Sequence, residues 1–247
     1  MSQRSKRPDA IEEFNSRVDR AVHWVVENRV AMGVVAAALL VGAGGYGVYD
    51  SVTTRQELAA SAALAQVETA YREAMGATPD AARVTEPANP ELAERVRREF
   101  EEEFREVALE HPGTSSAVVA QLNAGNRRVE LGEPEAALPA FEAARDAAPS
   151  GSALRGLALT RLGRAYEQLG RYEEAALVFE AAGEIEEFPL RYQVLADAAR
   201  SHANAGDEPA AVALYQRIEL EAPDLVLPEH VRSRLRELEI GSLSPDQ

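Results

Sequence analysis

Apolar positions along the chain recur at helical rather than strand spacing almost from the start. Ile11, Phe14, Val18, Val22 and Val25 fall three and four apart, which predicts a short amphipathic helix or an N-terminal extension of the helix that follows. The pattern then changes. Val30 to Tyr49 is a run of 20 residues with no charged side chain, and at about 1.5 Å of rise per residue a helix of that length reaches roughly 30 Å, the thickness of a hydrocarbon core. A cleaved secretory signal and a buried soluble helix are the competing readings. A signal has a shorter apolar stretch close to the N-terminus, whereas 29 residues precede this one, so a permanent anchor is expected.

After the run, periodicity returns. Leu64, Val67, Tyr71 and Met75 share a face in a stretch free of Gly and Pro. The segment 76–90, GATPDAARVTEPANP, reads as a loop, and Leu92, Val96, Phe100, Phe104 and Val107 make a second stripe that stops at HPGT. Together these predict a helical hairpin over 50–116.

The next stretch repeats itself. LGRAYEQLGRYEEAALVFEAA fits the 34-residue tetratricopeptide (TPR) template started at Gly156, with Leu162, Gly163, Tyr166, Gly170, Tyr172, Ala175, Phe179 and Ala182 in place. Started at Val118, the frame finds Gly125, Leu131, Gly132, Ala137, Phe141, Ala144 and Pro149; started at Tyr192, it finds Leu195, Gly206, Ala211, Tyr215 and Pro223. Small residues such as Gly163 and Ala175 belong where the two helices of a repeat cross, and Tyr166 and Phe179 fill the space around them.

Each helix pair leaves an apolar face for a neighbour to cover. PEHVRSRLRELEI, with Val231, Leu235 and Leu238 turned inward, is suited to closing the last one. The expected fold is all-α: a single N-terminal transmembrane helix, then a TPR-like α-solenoid of helix hairpins with a C-terminal capping helix. Its parts are a cytoplasmic segment 1–29, the transmembrane helix 30–49, the hairpin 50–116 containing the 76–90 loop, three repeats and the cap over 117–240, and a tail 241–247.

Composition agrees with helices: 46% of residues are hydrophobic, but only 6% are aromatic. A formal net charge of -15 argues against nucleic-acid binding. The charge is nearly balanced before the apolar run, so the acidic surplus lies after it. Arg17, Arg20 and Arg29 flank the run on one side against Arg55 on the other, which predicts a cytoplasmic N-terminus. Gly33/Ala37, Ala38/Gly42 and Ala43/Gly47 are small residues four apart, spaced to let a second transmembrane helix approach; such residues are also simply common in these helices.

Candidate chemistry is sparse. With no cysteine there is no disulfide, thiolate metal site or cysteine nucleophile. His23, His111, His202 and His230 are scattered, and His202 occupies a repeat-core position. GAGGYG lies inside the apolar run with no strand pattern before it, and REFEEEFRE reads as the wet side of an amphipathic helix. No catalytic residue, cofactor or metal is expected. What remains is the face lined by the first helix of each repeat, where the ninth template position brings Asn126, Arg164 and Arg200 into the groove. The arginines are suited to a carboxylate or an acidic segment, or else to pairing with Glu130, Glu167 and Asp197.

Through DRAVHWVVENRVAMGVVAAALLVGAGGYGVYDS, ELAASAALAQVETAYREA and EHPGTSSAVVAQLNAGNRRVELGEPEAALPAFEAA, the chain resembles the YfgM-type family of ancillary Sec translocon subunits. The resemblance implies a bacterial inner-membrane protein with its TPR domain in the periplasm. Its partners would be translocon subunits, periplasmic chaperones or exported clients, and the family has no catalytic residues to carry over. A structural scaffold for a cell-envelope assembly complex, oligomerised through the small-residue face, is the alternative.

Overall fold

Each stretch of alanine-rich, stripe-patterned sequence is punctuated by a capping residue, Gly or Pro, and every element among the described residues is an α-helix. The computed structural model describes residues 29–77 and 87–224 with Ser233, and side chains from Ser51 onward. The helices are α1 (Arg29–Ala74), α2 (Pro90–Glu110), α3 (Ser115–Glu130), α4 (Pro134–Ala147), α5 (Ala153–Gln168), α6 (Tyr172–Gly183), α7 (Arg191–Ala205) and α8 (Glu208–Glu221).

The chain divides into two units, Met1–Arg55 and Gln56–Gln247. In the first, the described part is helical backbone from Arg29. The side chains of Val30 to Tyr49, including Gly33, Ala37, Ala38, Gly42, Ala43 and Gly47, lie outside those described, as do residues 1–28, residues 78–86 of the expected loop and, apart from Ser233, the expected cap at 228–240. Among the described residues no helix is long and apolar enough to cross a membrane.

The second unit is a TPR-like solenoid. The starts of α2, α3, α5 and α8 are capped by short polar side chains: Asn89 accepts from the amides of Glu91 and Leu92, Thr114 from Ala117, Ser152 from Arg155, and Asp207 from Ala210. The turn after α5 closes through Gly170 at φ 72°, a left-handed conformation that costs glycine nothing. Helices neighbouring in sequence pack as neighbours in space from α2 to α8, and α5 also touches α3 and α7.

At the start, Leu64, Tyr71 and Met75 of α1 and its terminal turn are buried against Val96, Phe100, Phe104 and Val107 of α2, the two stripes read from the sequence. The Tyr71 and Phe100 rings meet edge to face with centroids 5.5 Å apart. Farther along, the repeat positions interlock. Gly163 lies under Phe179 so closely that a Cβ there would fall 2.6 Å from the ring, and Gly125 under Phe141 is tighter, at 2.4 Å. Phe141, Phe179 and Tyr215, one per repeat, are all essentially excluded from solvent.

Candidate functional site

The first helices of the three repeats, α3, α5 and α7, present a shared surface because α5 contacts both of the others. On α5 that surface carries Leu157, Arg161, Arg164 and Gln168, spaced so that they share one helical face. Leu157 and Arg161 are half-buried, whereas Arg164 and Gln168 are exposed.

The three residues expected in the groove differ in what holds them. Arg200 is tied down: its Nη2 donates to Glu167 Oε1 and Oε2 at 3.0 and 2.9 Å, and its Nη1 donates to Asp197 Oδ1 at 2.7 Å. The Ser201 hydroxyl donates to the same Glu167 carboxylate at 2.8 Å. Burial alone would pull the Arg200 guanidinium down, but Asp197 and Glu167 together outweigh it and hold it above its ordinary value. Arg200 therefore joins α7 to α5 rather than standing open.

Arg164 is exposed, and no carboxylate reaches it among the described residues; Asn126 is half-buried and likewise has no side-chain partner there. Glu130, the other carboxylate expected nearby, is occupied elsewhere. It accepts from Arg97 Nε at 3.2 Å, Arg127 Nη2 at 2.7 Å and the Tyr71 hydroxyl at 3.3 Å. Arg127 in turn lies over the Tyr71 ring, 4.2 Å from its centroid.

Arg161 was not singled out by the ninth-position reading, yet it sits one turn from Arg164 on the same face. Its guanidinium is pushed below its ordinary value by burial first and by the Arg164 charge second. The signal was present in the sequence at the sixth template position, which is Arg161 in the second repeat and Asp197 in the third.

His202 Nε2 lies 2.6 Å from Glu180 Oε1, an interaction between α7 and α6 beneath the repeat surface. In the REFEEEFRE stretch, Glu101 pairs with Arg128 and Glu102 with Arg105. Glu103 is held above the usual carboxylate range by burial, with Glu99 and Glu106 adding like charge. Among the described residues no three His, Cys, Asp or Glu side chains gather as a metal site.

The match that decides the family spans residues 22–217, which fit a tetratricopeptide repeat-like domain. The chain belongs to the tetratricopeptide repeat-like domain family. As a TPR-like domain, it is of a kind that generally mediates protein–protein interaction. In structure it is similar to the nearly identical TPR-like repeats of a candidate kinesin light chain from Podosopora anserina, at TM-score 0.49 and 19% identity over 63% of this chain and 85% of that one. It is also similar to the apo form of RapI, at TM-score 0.45 and 17% identity over 63% of this chain and 44% of that one. No curated protein matches it significantly.

Proposed function

We propose that this TPR-like protein is a membrane-anchored adaptor whose repeats dock protein partners on the periplasmic side of the bacterial inner membrane, beside the Sec translocon, where exported chains are received and folded. The observation that carries the docking reading is the α5 face, where Arg164 is exposed and unpaired among the described residues while most described arginines of the surrounding acidic domain are held by carboxylates. Anchor and orientation rest on the uncharged run from Val30 to Tyr49 and the arginines ahead of it. Translocon association rests on the resemblance to the YfgM-type family. The role is binding rather than catalysis.

A scaffold within a cell-envelope assembly complex is the second reading, favoured by the small-residue pairs from Gly33/Ala37 to Ala43/Gly47. Both readings are tested in membranes by a photo-crosslinking residue at Gln168, with a reporter active only outside the cytoplasm fused after residue 247. Reporter activity with crosslinks to translocon subunits or exported chains is expected. Crosslinks confined to copies of the chain or to envelope-assembly proteins favour the scaffold, and an inactive reporter on an intact chain removes the periplasmic placement.

A further inference from the structure

The repeats carry an internal comparison. Where α7 meets α5, the ninth-position Arg200 is clamped by Asp197, the sixth position of its own helix, and by Glu167, the twelfth position of the helix before it. In the same register where α5 meets α3, the ninth position is Arg164, the sixth is Arg161 and the twelfth of the preceding helix is Val129. Both carboxylates of the clamp are gone, and one has been replaced by a second cation.

An arginine taken out of water without a partner costs stability, and a like charge beside it adds to that cost. Arg161 bears both: it is half-buried, meets no carboxylate among the described residues, and the one charged neighbour that weighs on it is Arg164. A pair placed this way is short of two negative charges that its sister seam supplies internally.

Resting on the docking reading above, we propose that Arg161 and Arg164 form a binding site for an extended protein segment bearing two carboxylates at alternate positions, an acidic residue, any residue, then another acidic residue. The spacing suits it. Residues three apart on a helix have Cβ atoms roughly 5–6 Å apart, and alternate residues of an extended chain lie roughly 6.5–7 Å apart on one side. Each guanidinium can then take one carboxylate through paired charge-assisted hydrogen bonds. The net charge of -15 disfavours longer acidic tracts, so the site selects a short acidic motif over a polyanion.

The test is titration of the full-length chain in mild detergent with a fluorescent, end-blocked peptide containing Glu-Ala-Glu, against the same peptide with Gln-Ala-Gln. Preference for the acidic peptide, lost at least tenfold in Arg161→Gln/Arg164→Gln, is expected. Equal binding of the two peptides, no binding of either, or binding unchanged in the double variant overturns the site. Arg164 is exposed, so Arg164→Gln alone gives the same reading if the double variant folds poorly. Val129→Glu restores the missing twelfth-position carboxylate and should raise Tm while weakening peptide binding; tighter binding overturns the comparison between seams. Crosslinks from Gln168 that persist unchanged in the double variant remove the arginine site and leave the docking face standing. Absence of any crosslinked protein from Gln168 removes both.

Discussion

Arg200 Nη2 lies 2.9 Å from one oxygen of the Glu167 carboxylate and 3.0 Å from the other, joining the first helices of the second and third repeats through residues 33 positions apart. The Arg200 side chain is 37% exposed and that of Glu167 18%, so solvent screens part of the attraction. Removing Glu167 would also leave the Ser201 hydroxyl and a half-buried guanidinium with fewer partners. Glu167→Ala should cost roughly 1–2 kcal/mol in urea unfolding, below the range for a fully buried pair. A variant as stable as the wild type would mean that the seam is held by apolar contacts alone.

Gly163 and Phe179 make a second pair whose fit is steric. Gly163→Ala would push a methyl group into the Phe179 ring and should destabilise by roughly 1–3 kcal/mol, while Phe179→Ala should cost roughly 3–5 kcal/mol by opening a cavity. The two effects should not add. In Gly163→Ala/Phe179→Leu the smaller side chain makes room, so a double-mutant cycle in chemical denaturation should show a favourable coupling.

Glu57 acts as a remote cap. Its carboxylate accepts from the Ser115 amide at 2.7 Å, the Ser116 amide at 3.0 Å and the Ser116 hydroxyl at 2.7 Å, at the positive end of α3. Burial raises its pKa, but the hydrogen bonds from Ser116 and Ser115 outweigh that and hold it below the usual carboxylate range. With the folded pKa depressed, the stabilisation is fully present above the unfolded value and is lost as pH falls through the folded one. Glu57→Gln should lower stability by about 1 kcal/mol at neutral pH. Thermal melts of the variant and wild type should converge as the pH drops below about 4; a gap that persists there would assign the effect to packing.

Glu130 gathers three donors from three helices: Arg97 of α2, Arg127 of α3 and Tyr71 of α1. Burial, the leading influence on Tyr71, pushes its hydroxyl above the ordinary tyrosine value. Glu130→Ala should cost more stability than Tyr71→Phe, because it strips a partner from both arginines while the second change removes one long hydrogen bond. Equal melting temperatures for the two variants would contradict that ordering.

The apolar stripes on α1 and α2 and the repeat cores around Gly125, Gly163 and Phe179 were legible in the sequence, because helical spacing and steric size are local properties that each residue carries with it. So was the all-α TPR-like class. The ninth-position reading treated Arg164 and Arg200 as alike.

Only the tertiary structure separated them. Which carboxylate an arginine meets depends on how far its side chain reaches across a helix seam, and in an acidic chain with 41 Asp and Glu residues many partners look equivalent on paper. The fold brought Glu167 and Asp197 to Arg200, Glu57 to the start of α3 and Glu130 to Arg97 and Arg127, and it left Arg161 beside Arg164 with no carboxylate among the described residues. Periodicity set which faces pack; long-range geometry decided which charges were spent in packing them.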